Sequence, residues 1–152
     1  MINSDKNLLA ELQKDIAELE IAVKGLKMSF EKCSNIGIKI NYNFEEQESF
    51  DSLSSKFART SDIHAQRILK TILLLLRENP KSFIDRANLA EKLDIISSAD
   101  DLIVVRDLRN EIVHEYISSE LSRIYTEVLN HYSNLIEAIN TTKKFIEQRG
   151  WR

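Results

Sequence analysis

LAELQKDIAELEIAVKGLKMSF, residues 9–30, places Leu9, Leu12, Ile16, Leu19, Val23, Leu26 and Phe30 at steps that alternate between three and four. A period near 3.5 lines one side of an α-helix and is the pattern of a bundle seam. Mostly charged and small residues fill the intervening positions, so the spacing predicts one long helix from about Asp5 to Cys33. A stripe of that length needs other helices to cover it. The following stretch, SNIGIKINYNF, holds Gly37 and three asparagines and reads as a loop.

Composition extends the same reading to the whole chain. Its 152 residues include only 3 glycines and 1 proline, against average usage of about 7% and 5%. So few helix breakers predict an all-α fold, a four- to five-helix antiparallel bundle, with residues 1–152 forming a single domain. A second helix is expected from about Glu45 to Glu78, stopped by Asn79-Pro80. A short one should cover roughly Ser82 to Leu93. A fourth should start at Ser98-Ala99-Asp100-Asp101, where a serine can cap backbone amides, and should end near Tyr116 or Ile117. Ser118-Ser119-Glu120 restarts the chain as a fifth helix to about Gln148, with Leu121, Tyr125, Val128, Tyr132, Leu135, Ile139, Thr142 and Ile146 on its seam.

Lone Cys33 excludes an intramolecular disulfide framework. The aliphatic run Ile72 to Leu76 is too short to cross a bilayer, and no secretory signal is visible in MINSDKNLLAEL. A cytoplasmic protein without membrane attachment is expected. Net charge is -3, which gives no general attraction to nucleic acid, yet residues 56–92 carry eight basic side chains against four acidic. That segment forms either a phosphate-holding surface or an ordinary solvated helix face.

Two places break the apolar pattern. In the second helix the stripe Phe50, Leu53, Phe57 meets Arg59-Thr60-Ser61-Asp62 and His64 before resuming at Ile68. Satisfied hydrogen bonds or a helix distortion would account for this notch, and so would a cleft lined by Thr60, Ser61 and His64. The other place is LRNEIVHEY, residues 108–116. On a regular helix Arg109 and Tyr116 share the apolar face, while Arg109 and His114 point about 140° apart. Gripping one substrate atom together would need a distorted helix, a bent arginine, or a second copy of the chain across a twofold axis.

Histidine moves protons near neutral pH, and a guanidinium fork suits phosphate. With an amide beside them, these groups suffice to cleave RNA without a metal, because the ribose 2′-hydroxyl supplies the nucleophile. A structural account is equally available, in which His114 sits at the core edge and Arg109 pairs with Glu111 or another carboxylate. Metal ligation is not indicated, since His64, His114 and His131 are scattered.

Arg109-Asn110-Glu111-Ile112-Val113-His114-Glu115-Tyr116 resembles the R-x4-H-x-Y signature of HEPN-domain proteins, specifically the HepT-like toxins. The asparagine after the arginine and the Val-His-Glu-Tyr ending match that family's usual form. FIDRANLAEKLDIISSADDLIVVRDLRNEIVHEY, residues 83–116, is similar to small HEPN proteins paired with a nucleotidyltransferase, and the likeness covers about residues 45–150. The resemblance implies an HEPN-like bundle around two long antiparallel helices and a homodimer whose cleft takes the motif from both subunits. It implies a metal-independent endoribonuclease without cofactors that leaves a 2′,3′-cyclic phosphate. Arg109 and His114 would be catalytic and Asn110 would support them. Tyr116 would receive AMP from a partner antitoxin nucleotidyltransferase, which would silence the enzyme. The alternative within the same family is a non-cleaving subunit that only binds its nucleotidyltransferase.

Overall fold

The computed structural model describes residues 3–114 and 120–152, and all regular structure among them is helical. α1 spans Asn3–Ile36 and α2 Phe44–Ser61. A π-helical segment, Asp62–Ile68, runs without a break into α3, Leu69–Leu75. α4 covers Phe83–Lys92, α5 Ala99–Val113 and α6 Leu121–Gln148. The α2–π–α3 stretch is one rod, so the described residues form a bundle of five helical rods.

Long-range bonds give the directions. Arg77, just past α3, clamps Asp5 in the first turn of α1 with two bonds of 3.0 and 2.9 Å, so α1 and the α2–α3 rod are antiparallel. Tyr125 donates to Asp51 at 2.6 Å and His64 meets Thr142 at 2.9 Å, which sets α6 parallel to that rod. Arg123 reaches back to Glu111 and Thr142 bonds the carbonyl of Ile95, so α5 and α6 are antiparallel. α1, the rod, α5 and α6 therefore run up, down, up, down, with short α4 packed on α5.

The seam expected in α1 is buried at Leu12, Ile16, Leu19 and Leu26, with Leu9, Val23 and Phe30 partly covered, and buried Cys33 extends it. Opposite them lie Phe50, Leu53 and Phe57 of α2 and Ile124, Val128, Leu135 and Ile139 of α6, all in one core. Each such side chain contributes about 1.5–3 kcal/mol relative to exposure. Tyr42, Phe50 and Tyr125 close one end of the core with ring centroids 4.8 to 5.4 Å apart. No helix among the described residues is long and apolar enough to cross a membrane.

Helix ends depart from expectation in three places. α2 starts at Phe44 because Asn43 and Glu46 form a reciprocal capping box, which turns an expected loop asparagine into a cap. The rod stops at Leu75, short of the expected Glu78. Arg77 takes a left-handed φ of 65°, and the amides of Arg77 and Glu78 bond back to Leu74 and Leu73. This is a Schellman ending made without glycine, with the Asp5 ion pair helping to hold the arginine there. α5 ends at Val113 rather than near Tyr116, and His114 is extended (φ -77°, ψ 142°). No glycine or proline marks that end.

At its start, α5 is fixed by Ser98, whose hydroxyl accepts the Asp101 amide at 3.1 Å, and by Glu91, which accepts the Ala99 amide at 2.6 Å. Losing a serine cap leaves an amide without a partner and costs about 1 kcal/mol. Ser98→Ala is therefore expected to lower the urea-unfolding free energy by that amount, and Ser98→Asp to preserve it. Equal midpoints for Ser98→Ala and wild type would show that the cap contributes nothing.

Candidate functional site

Arg109 lies near the C-terminal end of α5, just before its last turn, and reaches across to the π-helical segment of the rod. Its Nε–H donates to Asp62 Oδ1 at 2.7 Å and its Nη2–H to Asp62 Oδ2 at 2.9 Å, a bidentate fork. Its Nη1–H donates to the side-chain oxygen of Asn110 at 3.1 Å. The Arg109 side chain keeps 28% exposure, so it is held but not sealed. Glu111, the neighbouring carboxylate, turns away and binds Arg123 of α6.

Beside this pair runs an open groove of about 450 Å³ between the rod and the end of α5, lined by Arg59, Asp62, Ile63, Arg67, Ile112 and Val113. Arg67 is committed to Asp15 and Glu18 of α1, and the fork it gives Glu18 lowers that carboxyl's pKa. Arg59 approaches Glu18 only to 3.7 Å and is 70% exposed, so it is the groove's accessible cation. A somewhat larger hollow, about 530 Å³, lies elsewhere among Lys32, Glu45, Glu46 and Glu48. Its three carboxylates oppose anion binding, and it contains none of the motif residues.

His114 follows directly on α5 as an exposed residue, with its amide on the Asn110 carbonyl at 3.0 Å. Its amide still makes the helical bond and its φ of -77° stays in the helical range, so the divergence from Arg109 expected of a regular helix carries to His114, and only its ψ turns the chain out of the helix. Arg109, Asn110 and His114 are grouped at one end of α5. Tyr116 lies outside the described residues.

The notch in the second helix resolves differently from the cleft expectation. Thr60, Ser61 and His64 are all buried, at 0%, 3% and 0% exposure, and none lines the groove. Both of the bland explanations hold. Thr60 donates to the Lys56 carbonyl at 2.7 Å, and the backbone widens into the π segment immediately after Ser61. Arg59 and Asp62 are the notch residues that line the groove, and sequence reasoning singled out neither the role of Asp62 nor its partner. The only available signal was an acid between buried polar residues, and its partner is 47 positions away.

The expected basic surface of residues 56–92 is committed only in part. Arg67 and Arg77 hold carboxylates, Arg86 donates to the Ala65 carbonyl and Gln66, and Lys56 donates to Ser29. No group of three or more His, Cys, Asp or Glu among the described residues is placed to hold a metal ion. His131 is separate from the site, on α6 beside Asn134.

His64 is a buried neutral imidazole. The Thr142 hydroxyl gives its one proton to the carbonyl of Ile95 or Ala138, at 2.9 and 3.0 Å, so it accepts from His64 Nε2–H. Nδ1 is then the bare nitrogen and meets no hydrogen-bond partner among the described residues. Burial pushes its pKa down to about 4.

An unfolded chain protonates this imidazole below about pH 6.5, whereas the folded chain resists until about 4. Its stabilising effect is therefore complete above pH 6.5 and is lost as pH falls toward 4, by on the order of 3 kcal/mol. His64→Gln is expected to flatten the dependence of the urea midpoint on pH across that window relative to wild type. Parallel profiles for the two proteins would contradict the assignment.

Comparison with protein-family models, with curated proteins and with solved structures returns no match for this chain.

Proposed function

We propose that this chain is a HepT-like toxin of the HEPN type, a metal-independent endoribonuclease acting as a homodimer and silenced by a nucleotidyltransferase antitoxin that adds AMP to Tyr116. The observation that carries the reading is an arginine held, yet partly exposed, by a carboxylate that lines an open groove, with the histidine of the same motif exposed just past the helix end. An all-helical bundle is consistent with it.

Cleavage through the 2′-hydroxyl requires one proton to leave that oxygen as it bonds to phosphorus. A second proton must reach the 5′ oxygen as the P–O bond breaks. The described site offers one imidazole, His114, for two transfers. A second copy of the chain would supply the other, which favours a composite cleft with Arg109 facing the phosphate as negative charge builds. Arg59, uncommitted in the groove, is suited to a flanking phosphate.

The purified protein is expected to cut RNA in the presence of EDTA and leave 2′,3′-cyclic phosphate ends. Arg109→Ala or His114→Ala should reduce the rate by about 10²-fold or more. Wild-type protein that leaves RNA intact, or His114→Ala that cuts normally, would remove the catalytic reading.

A second reading is favoured by one specific feature. The charge of Arg109 is already matched by Asp62, as in arginines whose task is structural. On that reading the chain is a non-catalytic subunit that binds a nucleotidyltransferase. Co-expression with such an enzyme encoded beside it separates the two. The toxin reading expects the Tyr116 peptide to gain the mass of one AMP while RNA cleavage falls. It also expects Tyr116→Phe to stay active. A stable complex with an unmodified tyrosine and no cleavage in any sample supports the subunit.

A further inference from the structure

We infer that Asp62 is a positioning residue that fixes which edge of Arg109 is offered to a phosphate beside the groove that Asp62 lines. The inference rests on the nucleic-acid reading above but not on cleavage itself. A guanidinium carries five N–H groups. Asp62 takes one from Nε and one from Nη2, and Asn110 takes one from Nη1. One N–H on Nη1 and one on Nη2 are left for a phosphate. The side-on edge, which a free arginine would offer equally, is closed.

Asp62 occupies the first residue of the π-helical segment, whose backbone is continuous with two α-helices. The rod leans on α1, α5 and α6. Its carboxylate thus stands on a rigid wall, and the arginine's long flexible stem is tied down at its far end. The carboxylate also carries a cost. A negative charge beside the groove weakens phosphate binding, so a site serving affinity alone would be better without it. Its presence is accounted for if orientation of the guanidinium matters more than binding strength. Displacement of a catalytic group by about 1 Å can cost on the order of 10²-fold in rate.

The test uses the full-length protein with a 2′-O-methyl oligoribonucleotide, which has the phosphates of RNA but not the attacking hydroxyl, alongside ordinary RNA. In wild type, oligonucleotide binding should shift the Nη signals of Arg109 in proton–nitrogen spectra and leave its Nε–H signal in place. In Asp62→Ala, shown to be folded by circular dichroism, the Nε and Nη signals should move together. The same variant should bind the oligonucleotide at least as tightly as wild type, yet cut RNA about 10²-fold more slowly with KM nearly unchanged. Asp62→Glu, which keeps the carboxylate, should recover part of the rate.

An Nε–H signal that moves as far as Nη in wild type would overturn the inference, because the Asp62 bond would then break on binding. A wild-type Arg109 that does not respond, or Asp62→Ala cutting at the wild-type rate, would overturn it equally. If the spectra behave as expected and wild type cuts nothing, the nuclease reading falls, while the positioning role stands on the spectra.

Discussion

One rod carries polar residues through the middle of a helical bundle, and the rest of the site follows from how its backbone accommodates them. Between Asp62 and Ile68 the helix widens into π geometry, an irregularity that commonly accompanies functional sites in helical proteins. On either side of that turn the rod buries apolar residues, Phe50, Leu53 and Phe57 before it and Ile68, Leu69 and Ile72 after it. Within it, His64 points into the core and Asp62 points out to Arg109. Two neighbouring polar residues thus serve opposite sides of one wall.

The inward side fixes the register of α6. A hydrogen-bonded chain runs from His64 through the Thr142 hydroxyl to the Ile95 carbonyl, in a place where an unmatched polar group costs more than a typical hydrogen bond gains. Sliding α6 along the rod would strand all three groups, and it would also detach Tyr125 from Asp51. Apolar seams tolerate small slips, whereas these paired polar groups do not. The bare Nδ1 of His64 is the one unmatched atom left on this chain of bonds, and it makes the interior sensitive to acid.

The outward side decides what the groove can be. Arg67, Arg77 and Arg86 of the central segment are spent on carboxylates and a carbonyl, while Arg59 lines the groove and part of Arg109 stays exposed beside it. A partly exposed ion pair such as Asp62–Arg109 adds little to stability. Its importance is geometric, because it sets the direction of a charged group beside the groove that Asp62 lines. The early end of α5 adds the second element. It leaves His114 exposed just past the last helical residue, with its side chain still diverging from Arg109 as helical periodicity dictates.

The architecture of the chain was legible in residues 9–30 and in the scarcity of glycine and proline, because helical periodicity is a local property that burial then reinforces. Ser98 as a cap and the seams of α1 and α6 were visible for the same reason. The meaning of the notch at residues 59–64 was not. Whether a polar residue there faces a cleft or a buried partner depends on Thr142, 78 residues from His64, and on a π turn that residue types do not announce. The grouping of Arg109, Asn110 and His114 could be read from sequence, but the carboxylate that orients Arg109 could not. Periodicity tells which side of a helix is apolar, and only the packing of helices against one another decides which distant charge stands opposite.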